Sequence, residues 1–320
     1  MRVAFKDHDQ FCRVIGPQPR TSSRLILTAQ KQPGLSDVFR LPLPSGAKAK
    51  RIYSCCLSVK SEIMAAPDTH APPPRNGRFL MVFDFDETII NENSDDAVVR
   101  AAPGQTLPNW LLECYRPGHY NEHMQRILAY MAQQGVQEDA IRTEIECIPA
   151  SPGLPALLTF LRSRPQDFEC VVLSDANMYF IETWLNKAGT RQLFSEVFTN
   201  PASFDGDGRL VLLPFHAHGC PRCPDNMCKQ VILQDYLARR ARERGSPFQR
   251  VFYIGDGAND ICPTLALGEK DTVFPRRDFP MYRIIQDMQK GQPGTFKASV
   301  VPWANGEDVM DCLKRAIEER

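Results

Sequence analysis

The chain has 320 residues, 43% of them hydrophobic and 24% charged, with 38 basic side chains balanced by 38 acidic ones. That is the composition of a soluble globular protein with enough chain for a sizeable core, and the zero net charge gives no sign of a nucleic-acid or membrane-surface partner. No apolar run approaches the roughly 20 residues needed to span a bilayer.

Taken in chain order, the first stretch is the least structured. Residues 1–79 carry 13 Lys/Arg against 5 Asp/Glu, so the remainder of the chain is acidic. "GPQPR", "LPLPSG" and "APPPRNG" punctuate it, and no apolar period is sustained. Residues 1–77 therefore read as a basic, disordered N-terminal extension, with Met64 a candidate internal start. Its composition also suits an organelle transit peptide, but no clean amphipathic helix supports one, and the apolar core of a secretory signal is missing. The eleven cysteines, an odd number, sit mostly in apolar contexts such as Cys170 in "FECVVLS". They point to a reducing compartment, the cytoplasm, rather than to a disulfide framework.

From residue 78 to 320 a second pattern takes over. Short apolar runs at 79–83, 169–173, 250–254, 271–274 and 297–301 predict strands. Helical periodicity marks 152–164, 177–188, 226–244, 258–267, 280–290 and 305–319. Strands alternating with helices predict βαβ units and a parallel sheet covered on both faces. A short hairpin turned at "DGDG" is expected within 195–213. Residues 94–150 break the rhythm, with about two helical segments and no convincing strand. The fold class is thus α/β, a Rossmann-like core over 78–320 with a small α-helical cap inserted after the first strand.

The chemistry gathers at predicted strand ends, where ligands bind in open parallel sheets. In "MVFDFDETII", Asp84 and Asp86 follow the first strand and, by alternation, point to one side. Neighbouring carboxylates repel unless a proton or cation intervenes, and Mg²⁺ is the hard ion that suits them. "VVLSDAN" ends in Ser174, Asp175 and Asn177. "VFYIGDGAND" ends in Asp256 and Asp260, with glycines that let the backbone turn closely. Lys229 opens a helix whose N-terminus favours an anion. Acids, a hydroxyl and a lysine on one rim suggest metal-assisted phosphoryl transfer.

The ordered set Asp84-Phe85-Asp86-Glu87-Thr88, Ser174, Lys229 and Gly255-Asp256-Gly257-Ala258-Asn259-Asp260 resembles the four motifs of the haloacid dehalogenase superfamily of phosphatases. The resemblance spans about residues 79–318. "ENSDD", "RAAPGQTLP", "YRPGHYNEHMQR", "CPDNMCK", "GDGANDICP", "FPRRDFPM" and "ASVVPW" are similar to the phosphoethanolamine/phosphocholine phosphatases within it, beside a related branch that prefers pyridoxal phosphate. The resemblance implies an Asp84 nucleophile and Asp86 as the proton carrier. It implies phosphoryl contacts from Thr88 and Ser174, charge compensation from Lys229, and Mg²⁺ held by Asp84, Asp256 and the backbone carbonyl of Asp86. Asp260 would steady Lys229 or the metal's surroundings; the alternative is a helix cap.

Substrate contacts fall, by the same resemblance, on Asp95 and Asp175. The alternative for Asp95 is to cap the first helix of the insertion. Trp110, Tyr115 and Tyr120 can offer aromatic faces to a cationic head group, or simply pack. Small phosphate monoesters are the expected partners, with pyridoxal 5′-phosphate or a non-catalytic phosphate-binding scaffold as the rival readings. The resemblance further implies phosphate supply for skeletal mineralisation, inside cells or vesicles budding from them. One cluster stays outside this scheme: "HAHGCPRCPDNMC" holds His216, His218, Cys220, Cys223 and Cys228. A CxxC beside histidines invites a zinc reading, but no second CxxC follows, so packed or oxidation-sensitive thiols are the competing one.

Overall fold

The structure is a computed structural model that describes residues 78–291 and 294–319; the basic extension over 1–77 lies outside the described residues. Strand β1, Phe79–Phe83, is buried on every residue. Alternation sorts it between two cores. Phe79, Met81 and Phe83 enter one hydrophobic cluster, and Leu80 and Val82 enter the other. Each such side chain contributes about 1.5–3 kcal/mol by leaving water. A strand anchored on both faces is a rigid support for whatever its end carries.

β1 pairs in parallel with β2 (Phe168–Asn177) on one side and with β6 (Arg250–Gly255) on the other. β3 (Phe194–Asn200), β7 (Thr272–Pro275) and β8 (Ser299–Val300) complete a six-stranded sheet among the described residues, in the order β3-β2-β1-β6-β7-β8. Three helices cover one face with apolar stripes: α5 (Leu154–Arg162), α6 (Met178–Lys187) and α10 (Gly306–Glu318). α7 (Lys229–Arg244), the short α8 (Ile261–Thr264) and α9 (Pro280–Gly291) cover the other. The expected Rossmann-like α/β architecture is what the chain forms.

Between β1 and α5 lie α1 (Ser94–Val98), α2 (Asn109–Glu113), α3 (Tyr120–Gln133) and α4 (Glu138–Glu146). The sequence suggests about two helices here because α1 and α2 are barely more than one turn each, too short to show a period. An antiparallel bridge between Ile90 and Ala150 brings the two ends of this segment together.

The hairpin expected within 195–213 forms around "DGDG". Residues 194–200, just ahead of it, are the edge strand β3 of the main sheet. The hairpin is β4 (Ala202–Phe204) with β5 (Leu210–Leu212). β3 escapes notice because an edge strand with polar Ser195 and Glu196 lacks the continuous apolar run of its neighbours. The hairpin docks on α3, where the Leu212 N–H donates to Gln125 Oε1 at 2.6 Å.

Candidate active site

Asp84 leaves the end of β1 with its N–H still bonded to Ile254 O at 3.0 Å, so the sheet itself fixes its position. The chain then turns sharply: the amides of Thr88, Ile89 and Ile90 all reach back to Phe85 O, and Glu87 sits at φ 52°. Phe85 anchors this turn by packing edge-on to Trp184. Asp84 and Thr88 are thereby both buried at the sheet rim.

Lys229, the first residue of α7, is buried and reaches two carboxylates. Its Nζ donates to Asp84 Oδ1 at 2.7 Å and to Asp260 Oδ1 at 2.8 Å. Burial works against its charge, but Asp260 and Asp84 outweigh that and hold its pKa well above the usual lysine value. Asp260 is fully engaged. Tyr253 Oη donates to Oδ1 at 2.7 Å, while the amides of Asp256 and Gly257 donate to Oδ2 at 3.2 and 3.1 Å. A Cβ on Gly255 would lie 2.4 Å from Asp260 Oδ2, so only glycine permits this wrap. Asp260 therefore bonds both Lys229 and the amides of the GDG turn.

Asp256 completes a trio with Asp84 and Asp260, each offering an oxygen within 4.8 Å of the others. Burial pushes Asp84 and Asp256 well above the carboxylate range, with Asp260 adding to both shifts and Lys229 opposing them. Hard oxygen donors gathered away from water, with pKa values raised by burial despite Lys229, fit a divalent cation such as Mg²⁺. Because Asp260 spends both oxygens on other partners, Asp84 and Asp256 are the carboxylates left to such an ion. The Asp86 side chain is not in this trio. Thr88 Oγ1 donates weakly to Asp256 Oδ1 at 3.4 Å.

A second acidic group adjoins the first. Asp86 Oδ1 accepts the Ser94 amide at 2.9 Å. Burial, then the nearby Asp95, raises its pKa well above the usual range. Asp95 is itself pushed up to about 8 by burial, with Asp175 and Asp96 adding to the shift and a hydrogen bond from Tyr120 opposing it. Asn93, not Asp95, caps α1, accepting the amides of Asp95 and Asp96 at 2.9 and 3.2 Å. That leaves Asp95 available to face the site. Ser174 and Asp175 lie where β2 shifts register against β3, an irregularity that re-aims side chains at a strand end. Asn200 secures this bend by donating to Asp175 O and Ala176 O at 2.7 and 2.9 Å.

Of the three aromatics, Tyr120 meets the acids, through its hydrogen bond to Asp95. Trp110 is 58% exposed and packs edge-on to Tyr130, while Tyr115 packs against Tyr120 and His123. Sequence reading missed Tyr253, Asn200 and Arg276. The buried Arg276 guanidinium bonds Glu87 O and Asn91 Oδ1, bracing the turn after Asp86 against the end of β7. The "FPRR" run was the available signal, but nothing in it names these partners. His216 and His218 do not join the cysteines as ligands; Cys220, Cys223 and Cys228 meet Cys262 instead.

Residues 79–317 match the model of a protein family described as "Putative Phosphatase". Over 273 residues the chain is 55% identical to the "Probable phosphatase phospho1" of Danio rerio, covering 83% of this chain and 98% of the relative. It is 50% identical over 246 residues to the phosphoethanolamine/phosphocholine phosphatase of Gallus gallus, covering 77% and 91%. With the pyridoxal phosphate phosphatase PHOSPHO2 of Bos taurus it shares 37% over 246 residues, covering 76% and 100%. The chain belongs to this phosphatase family, as a hydrolase of phosphate monoesters closely related to the phosphoethanolamine/phosphocholine phosphatases.

Proposed function

We propose that the chain is a Mg²⁺-dependent phosphatase of phosphoethanolamine and phosphocholine, working through an aspartyl-phosphate. The observation that carries the choice of substrate is the second acidic group. Asp86, Asp95 and Asp175 repel one another beside Tyr120, an environment that a cationic head group relieves and a neutral one does not. The helical insertion over 94–150 acts in this reading as the cap that contributes Asp95 and Tyr120.

Lys229 occupies Oδ1 of Asp84, and the other oxygen attacks the substrate phosphorus. Thr88 and Ser174 hydrogen-bond phosphoryl oxygens, and Lys229 offsets their charge. Asp86, protonated because its pKa is raised, gives its proton to the departing alkoxide. The resulting Asp86 carboxylate then takes a proton from water, whose oxygen attacks phosphorus and frees both phosphate and Asp84. Asp84, Asp256 and the Asp86 backbone carbonyl would hold Mg²⁺, which when bound neutralises charge on the phosphoryl group. The phosphate released would serve the mineralising role, in cells or vesicles, that the sequence resemblance implies.

The test is phosphate release from phosphocholine, phosphoethanolamine and pyridoxal phosphate, with and without Mg²⁺, beside Asp84→Asn. The first two substrates are expected to dominate, with turnover lost in the variant while its fold survives. Preference for pyridoxal phosphate would refute the head-group argument, and near-wild-type turnover by Asp84→Asn would refute the nucleophile.

A further inference from the structure

Two segments far apart in sequence bring four thiols together on the α7 side of the sheet. Cys220, Cys223 and Cys228 come from the loop before α7, and Cys262 comes from α8. Their four sulfurs all lie within 4.8 Å of one another, and none of these cysteines is in a disulfide. Cys220 Sγ and Cys262 Sγ are 3.7 Å apart, far longer than a disulfide bond. Sulfurs at the corners of a tetrahedron, each about 2.3 Å from a central zinc, are separated by about 3.8 Å.

We propose that Cys220, Cys223, Cys228 and Cys262 form a closed thiolate site for a structural zinc ion that ties the loop before α7 to the segment after β6. Here four converge, two buried and two half-buried.

The two histidines have different work. The Cys220 N–H donates to His218 Nδ1 at 3.2 Å, while His218 Nε2 donates to Pro224 O at 2.8 Å. The Cys228 N–H donates to His216 Nε2 at 3.1 Å. Both rings thus fix the backbone that presents the sulfurs, the task that surrounding groups perform at metal centres. Four thiolates around a divalent ion leave a negative site, and Arg222 in the same loop sets its guanidinium against Cys262, near Cys220 and Cys223. Cys262 S–H donates to Gln230 Oε1 at 3.2 Å. On binding, each thiol releases its proton to solvent and the sulfur takes up the metal.

The place of this site gives it a consequence. Cys228 directly precedes Lys229, and Cys262 follows Asp260 by two residues. A zinc ion here would hold in register the two segments whose side chains form the 2.8 Å Lys229–Asp260 ion pair.

The test uses the untagged full chain, incubated with zinc under reducing conditions, desalted into Mg²⁺ buffer and analysed for metal by mass spectrometry. The expected result is one tightly held zinc per chain, released when the thiols are titrated with a mercurial. Cys223→Ser and Cys262→Ser lose it, and Cys147→Ser, at an exposed thiol outside the cluster, keeps it. In case the cluster variants fail to fold, the wild-type chain loaded with cobalt is expected to show the visible bands of tetrahedral thiolate coordination. Zinc far below one per chain, retention by both cluster variants, or cobalt spectra without thiolate bands would each overturn the site.

Discussion

At the scale of single residues, the site is a problem in placing negative charge. Asp95 is the sharpest case, since its pKa of about 8 leaves it neutral over much of the physiological range until a cation arrives. Attraction for a cationic head group should therefore strengthen as pH rises towards 8. Relative to p-nitrophenyl phosphate, which has no cation, the KM for phosphocholine is expected to fall over that interval. Asp95→Asn should raise the phosphocholine KM about ten- to a hundredfold, the equivalent of about 1.5–3 kcal/mol for one charged contact, and flatten the pH trend. An unchanged KM would remove Asp95 from the substrate site. Asp84, Asp86, Thr88, Ser174, Lys229, Asp256 and Asp260 were legible because each belongs to a short motif at a strand end or helix start. Tyr253, Arg276 and Cys262 were not, because each acts on a residue that only the folded chain brings near; Arg276 braces Glu87 from 189 positions away.

At the scale of elements, the central strands announced themselves through continuous apolar runs, and their helices through apolar stripes. What local pattern could not show was how elements are fastened to one another. Glu169 sits in β2 with no exposure, in a run that reads as apolar strand. Arg240 of α7 clamps it, Nε and Nη2 donating to its two oxygens at 2.8 and 2.6 Å, and Tyr236 Oη donates as well. Glu169→Ala would take from the buried guanidinium its bonds to β2 and leave it Glu243, bonded by Nη1 at 2.6 Å, so a loss of about 1.5–3 kcal/mol is expected from urea unfolding. A loss below about 1 kcal/mol would mean that the pair rearranges freely. The α5 and α10 helices meet differently. Gly153 and Gly306 approach so closely that a Cβ on Gly306 would lie 2.4 Å from Gly153 O, which no periodicity argument anticipates.

At the scale of the whole molecule, the buried carboxylates tie stability to pH and to cations. Burial raises the folded-state pKa of Asp84, Asp86, Asp95 and Asp256 above the unfolded value. At these four groups the folded chain binds more protons than the unfolded one, so the stability they contribute is fully present below the usual carboxylate range and is lost as pH rises through the folded values. For Asp95 that decline extends to about pH 8. Without Mg²⁺, Tm should fall as pH rises from about 5 to 8, and the gain in Tm on adding Mg²⁺ should grow over the same interval. A gain independent of pH would separate metal binding from these carboxylates. Among the described residues, no helix is long and apolar enough to cross a membrane.

The position of β1 has a further consequence for how the chain is made. It emerges early, yet its neighbours in the sheet are β2 and β6, and Asp84 N–H bonds a carbonyl of β6. During synthesis the first motif must therefore wait for residues near 255, roughly ten to thirty-five seconds at ordinary elongation rates. Until then β1 has at most one of its two neighbours, β2, which makes nascent chains ending between β2 and β6 the ones that most need a chaperone.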